Sequence, residues 1–303
     1  MTVRLTLPGK QSLLIETPVM NATGTLGFGD NARDLIALEK LGAFVTNPIT
    51  YAPRTPANGT RVVPLDAGLL LHTGLPNDGV RKTVDTWGAT WARMPIPVIV
   101  HLATGSGDEL RRCLAVLDEV DSVSGVEIGV QDEITLKDVT ALLKSARETD
   151  KPLIFRLPFD APLEYAKAAL SAGISGLTVC APPRGTARDS GGKLVAGRLY
   201  GTWIKPLVLR LVGQIARAVN APVIAAGGIH SAEDARDYLE AGAVAVQVDA
   251  AAWARPRQLE MIARDLGGLV ITQPSGALPD EWFPGMGETL RQQQNSTDTT
   301  REG

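Results

Sequence analysis

The chain predicts a (β/α)8 barrel, a TIM barrel of the α/β class, and three observations carry that expectation. Apolar segments of strand length recur eight times, at 18–22, 43–47, 97–102, 125–130, 152–157, 176–180, 222–226 and 244–248. Helix-like stretches alternate with them, for example 108–120, 135–148, 162–172, 205–219 and 231–241. The segments are apolar nearly throughout rather than on alternate residues, as strands of a parallel sheet buried on both faces must be. Eight strands alternating with helices favour a closed barrel over an open doubly wound sheet.

The clearest repeat unit is 221–252. It runs Ala-Pro-Val-Ile-Ala-Ala-Gly-Gly, then Ser231 as a helix cap, an amphipathic helix closed by Gly242, and a second apolar strand ending at Asp249. In phosphate-binding barrels the last two strands end in loops whose backbone N–H groups take the anion. Gly227 and Gly228 suit the first loop. The second reads Asp249, Ala250, Ala251, where a glycine and a small hydroxyl residue are expected. Half a phosphate site and a tight strand-to-helix turn both account for the glycine pair.

The 303 residues, 44% of them hydrophobic, suffice for one large domain, since such barrels run to about 250 residues. We expect the barrel over 1–290 and a disordered polar tail over 291–303. A net charge of −3 leaves no electrostatic footprint for nucleic acid or an anionic membrane. The first twenty residues lack the basic-then-apolar order of a signal peptide, and no apolar run is long enough to span a bilayer. The chain therefore reads as cytoplasmic. Cys113 and Cys180 read as buried thiols without metal-ligand spacing. His72, His101 and His230 form no pattern with carboxylates that suggests a metal. Two insertions, 51–75 after strand two and 181–203 after strand six, break the rhythm on the face where ligand binds, and read as lids or binding loops.

Several stretches together resemble the dihydroorotate dehydrogenase family, its cytosolic FMN-containing class in particular. They are Thr-Pro-Val-Met-Asn-Ala-Thr-Gly-Thr from Thr17, Leu-Gly-Ala-Phe-Val-Thr-Asn-Pro-Ile-Thr-Tyr-Ala-Pro-Arg from Leu41, Thr-Gly-Leu-Pro-Asn-Asp-Gly-Val from Thr73, Ile-Lys-Pro-Leu-Val-Leu-Arg from Ile204, and Ala-Gly-Gly-Ile from Ala226. The resemblance implies FMN at the barrel mouth, held around Thr23, Gly24, Asn47, Arg156, Gly201, Gly227, Gly228, Asp249 and Ala250. It implies a pyrimidine stacked on the flavin near Gly74, Leu75 and Asn77, with a hydride passing to the flavin while a lid-loop base removes a proton. It also implies a homodimer. An electron-acceptor module, if one is used, would be a separate partner chain.

The departures from the family pattern fall on the chemistry. The Asn-x-Ser-Cys-Pro-Asn motif after strand four reads Gly129-Val130-Gln131-Asp132-Glu133-Ile134, so its cysteine base and both asparagines are replaced. Two further substrate asparagines fall on Leu71 and on Cys180 or Ala181. Each lost hydrogen bond to a buried polar ligand forfeits about 1 kcal/mol or more, which carries orotate toward no measurable binding. Asp132 is the available substitute base, although a carboxylate is far less basic than a thiolate; its plainer role is to cap the following helix. The strand-two and strand-five lysines fall on Asn47 and Arg156. Arg156 keeps a cation that can stabilise anionic reduced flavin, or else pairs with Asp132 or Glu127. A carboxylate at Asp249 opposes a flavin phosphate. Three readings follow: a diverged FMN oxidoreductase, a flavin-free member serving as structural or regulatory partner, and a genuine dihydroorotate dehydrogenase with an atypical site.

Overall fold

The computed structural model describes residues 2–9, 12–29, 32–160 and 163–267; the expected end of the barrel at 290 and the expected tail 291–303 lie outside them. Eight strands make one parallel sheet: β1 (Val19–Asn21), β2 (Phe44–Val45), β3 (Val98–Ala103), β4 (Val123–Gly129), β5 (Leu153–Leu157), β6 (Gly176–Val179), β7 (Val223–Ala226) and β8 (Ala245–Val248). Their spatial order is β1-β8-β7-β6-β5-β4-β3-β2, and a parallel bridge from Met20 to Ala43 joins β1 to β2 and closes the ring. Closure leaves no sheet edge to pair with another chain. All eight expected strands are present, each within about two residues of its expected position, because a strand buried on both faces must be apolar at every position.

Side-chain caps fix where the helices start. Ser106, Thr135 and Ser231 each accept a backbone N–H from the residue three positions on, opening the helices Gly107–Asp118, Leu136–Lys144 and Ala232–Glu240. Pro206 stands in the first turn of Lys205–Ala218, where its missing N–H costs nothing.

The N-terminal end of the barrel is closed by an antiparallel ladder of Val3–Arg4 with Leu14–Ile15. Its Leu5, Leu13 and Ile15 pack on the inward residues Met20, Ala43, Val45, Ile99, Ile154, Ile224 and Ala245. Each such leucine or isoleucine contributes about 1.5–3 kcal/mol by leaving water. One pleat further toward the C-terminal ends, the inward positions become His101, Glu127, Arg156, Thr178 and Gln247. An apolar plug therefore lies beneath a polar floor.

The two insertions are not independent loops. Val62–Leu65, Gly68–Leu71, Leu194–Tyr200 and Arg184–Arg188 form a four-stranded antiparallel sheet, with Leu199 in register with Leu70 and Thr186 with Ala196. Its small core is Val63, Leu70 and Val195, backed by Leu65, Ala187 and Leu199. The Thr60 hydroxyl donates to Asp189 Oδ2 at 2.6 Å, and Asp189 Oδ1 takes the N–H groups of Gly191 and Lys193, so the turn of one insertion is tied to the other.

Candidate functional site

The polar floor is organised by Glu127, which is fully buried. Its Oε1 faces His101 Nδ1 at 2.7 Å and Arg156 Nη1 at 3.3 Å. Its Oε2 takes the Thr178 hydroxyl at 2.6 Å and the Gln247 amide at 2.8 Å. Burial opposes the charge, but the Arg156 guanidinium together with His101 and Thr178 holds the Glu127 carboxyl well below the usual carboxylate range. The remaining Arg156 bonds go to Gln247 Oε1 at 2.7 Å and the Cys180 carbonyl at 3.2 Å. Arg156 is 4% exposed, and of the two uses expected for it the pair with Glu127 is the one made within the protein.

Above the floor, between the loops after β3 and β4 and the insertion sheet, lies a cleft of about 900 Å³. Gly74 and Leu75 line it, as do Asp132, Gly129, Arg54, Arg184 and Arg198. Asp132 accepts from Arg198 Nη1 at 2.7 Å and lies 3.8 Å from Arg184 Nη1. It does not cap the following helix; Thr135 does, through the N–H of Asp138. Asn77, expected at the substrate, spends its amide within its own loop. It donates to Thr50 Oγ1 and the Leu75 carbonyl and accepts from Thr50 and Gly79 N–H.

The residues expected at a cofactor sit elsewhere on the mouth, and none of them lines this cleft. Thr23 donates to the Thr46 carbonyl at 2.8 Å, which joins the ends of β1 and β2, and Gly24 beside it takes a left-handed turn at φ +84°. Gly201 touches the Ala67 carbonyl closely enough to exclude a side chain. Gly228, at φ +68°, lies against the start of helix Lys205–Ala218, where a Cβ would come within 2.7 Å of Lys205 N. Packing alone thus accounts for a glycine at 228. Asp249 is buried, and its Oδ1 accepts the N–H of Ala250, the donor a phosphate would need. Burial pushes the Asp249 carboxyl above its usual range.

Among the described residues, two buried side-chain atoms have no hydrogen-bond partner: Asn47 Oδ1 and His230 Nδ1. Both follow the mouth ends of barrel strands, β2 and β7. An acceptor and a ring nitrogen left unpaired on the mouth are what a polar ligand there would satisfy. Together with the buried Gly227 and Gly228, they fit a flavin nucleotide at β2 and β7, while Asp249 leaves the β8 side a donor short.

Cys113 and Cys180 are both free and buried, and burial pushes each thiol up to about 12, too high for a thiolate base at neutral pH. Among the described residues no group of three or more His, Cys, Asp or Glu is placed to hold a metal, and no helix is long and apolar enough to cross a membrane. The sequence offered Glu127 as a partner for Arg156, and the structure makes that pair. The His101, Thr178 and Gln247 members of the network left no trace beyond being polar residues at interior positions of apolar strands.

Comparison with known proteins agrees with the architecture. A family model described as dihydroorotate dehydrogenase matches residues 10–269. The chain is 34% identical over 275 residues to the dihydroorotate dehydrogenase B (NAD(+)) catalytic subunit of Pelobacter propionicus, covering 84% of this chain and 90% of that one. It is 33% identical over 275 residues to the same-named protein of Trichlorobacter lovleyi, with 84% and 90% covered. For that of Geotalea uraniireducens the identity is 32% over 285 residues, with 85% and 93% covered. A closed eight-stranded parallel barrel matched along most of its length by these proteins places the chain in the dihydroorotate dehydrogenase family.

Proposed function

We propose that this protein is an FMN-dependent oxidoreductase of the dihydroorotate dehydrogenase family whose substrate is a small polar molecule other than dihydroorotate. The observation that carries the cofactor is the pair of unpartnered buried atoms, Asn47 Oδ1 and His230 Nδ1, on the barrel mouth. Asn47, His230 and the Gly227–Gly228 loop would hold the group, with Thr23 and Gly24 fixing the β1 end of its seat. Bound there, FMN supplies an acceptor for a hydride.

The protein's own residues do the rest. Gly74 and Leu75 with Arg54, Arg184 and Arg198 wall the substrate cleft. The lining holds three arginines and three carboxylates, Glu109, Asp132 and Glu133, so it favours neither charge sign and suits a substrate recognised by hydrogen bonds. The motif's two asparagines are absent from the loop after β4, where Gln131 is the remaining amide, and this argues against orotate. Asp132 serves the lid through Arg198 more directly than it serves proton transfer.

The names of the relatives speak of a catalytic subunit, and on that basis we assign this chain a partner subunit that receives electrons; the homodimer rests on the family resemblance alone. Two unpaired thiols suit a reducing cytoplasm.

The test is the visible spectrum of the purified protein after incubation with excess FMN and desalting. Flavin bands that persist, and that weaken in Asn47→Ala and His230→Ala, support the reading. A colourless protein favours the second one, a flavin-free member acting as a partner of another chain. The observation behind that alternative is Asp249, whose carboxylate already holds the Ala250 N–H.

A further inference from the structure

Glu127 is saturated. Its two oxygens receive four donors, so no lone pair is left for a ligand. His101 differs, because only one of its two ring nitrogens is engaged. An ionised carboxylate can only accept, so the 2.7 Å contact makes His101 Nδ1 a protonated nitrogen, and in the neutral imidazole Nε2 then keeps its lone pair.

The position of that lone pair is set by Gly129. On the adjacent strands β3 and β4, His101 is in register with Glu127 and Ala103 with Gly129. A Cβ at 129 would lie 2.7 Å from His101 Nε2 and 2.9 Å from its Cε1. The imidazole therefore rises one pleat, from the level of Glu127 to that of Gly129, and uses the volume where any side chain at 129 would begin. Gly129 and Ala103 both line the cleft. Nε2 is not among the sealed, unpartnered atoms of the described residues, and it has no protein partner there.

We propose that His101 is the residue that exchanges a proton with a ligand at the barrel mouth, and that Glu127 is its positioning residue. In the accepting direction, the Nε2 lone pair takes the proton of a ligand N–H or O–H and the bonding pair stays on the ligand. The imidazolium so formed keeps its Nδ1–H on Glu127, the carboxylate it shares with Arg156. In the reverse direction Nε2 returns the proton. The ligand class is a small molecule with an ionisable N–H or O–H, such as a heterocyclic imide or an enol. No oxidant is needed for this step, so it stands whether or not flavin is bound.

Nitrogen NMR of protein labelled at its three histidines tests this. In the unmodified protein, His101 is expected as the Nδ1–H tautomer with an unprotonated Nε2. Glu127→Leu removes the acceptor that holds the proton on Nδ1, so the Nε2–H tautomer should appear in that variant, a change in which nitrogen carries the proton rather than in packing. Should that variant not fold, Gly129→Ala serves instead. It removes none of the groups that bond Glu127 and sets a methyl against the Nε2 edge. Uracil, an imide, is the ligand probe; it should shift the Nε2 resonance in the unmodified protein and not in Gly129→Ala. An Nε2–H tautomer in the unmodified protein, or an Nε2 resonance that uracil leaves in place, overturns the proposal. Flavin content is read separately by absorbance, so failure of the FMN reading is distinguishable from failure of this one.

Discussion

Asp132 and Arg198 meet at 2.7 Å across the cleft, joining the loop after β4 to the insertion strand Leu194–Tyr200. Arg198 also donates to the Pro182 carbonyl, so a single guanidinium holds both ends of this closure. The Asp132 carboxylate thus ties the loop after β4 to the second insertion. Asp132→Asn is expected to lower stability by no more than about 1 kcal/mol, because the pair is partly exposed and screened by water. It should hasten cleavage within 181–203 under limited proteolysis. An unchanged cleavage rate would mean that this tie does not restrain the insertion.

Glu127 and Arg156 form an ion pair that is almost completely buried. Removing one partner of such a pair leaves an uncompensated charge, and we expect Glu127→Gln to cost about 3–5 kcal/mol in urea unfolding. The pH dependence follows from the lowered carboxyl. Its contribution is fully present above the unfolded value near ~4.3 and is lost as pH falls through the folded value. The stability gap between the two proteins should therefore be widest above about pH 5 and narrow below about pH 4.

The Asp249 carboxyl has the opposite sign. Its folded value is raised by burial, so it favours the fold when protonated, and that contribution fades as pH rises through the folded value. Asp249→Asn should match the unmodified protein in acid and become the more stable of the two toward pH 8, read by thermal unfolding. With one negative charge fewer at the mouth, it should also retain FMN about tenfold more tightly or better. Equal flavin retention in the two proteins would show that the phosphate does not lie near Asp249.

Gly228 holds a left-handed conformation against the backbone of Lys205. Gly228→Ala is expected to cost about 1–3 kcal/mol from the dihedral alone, and more from displacing the helix start. Chemical denaturation measures it. A variant of unchanged stability would mean that the glycine is kept for ligand approach rather than for packing.

The chain by itself determined the barrel. Strands buried on both faces must be apolar throughout, and Ser106, Thr135 and Ser231 mark helix starts by chemistry that acts over three residues. It also marked the mouth, since residues at strand ends lie there in any such barrel, and it marked the departures at Gly129, Asp132 and Asp249. Tertiary structure alone decided how those residues are used. Glu127 and Gln247 are 120 residues apart, and Thr60 and Asp189 are 129 apart. No local pattern reports such pairings, because they arise only when the sheet closes. The same holds for the two insertions, which read as separate loops until Leu70 and Leu199 are brought into register. Arg156 has the charge that flavin chemistry asks for, but charge type is local and orientation is not. Closing the barrel placed a buried carboxylate within reach, and pairing with it costs less than leaving the charge alone in the interior.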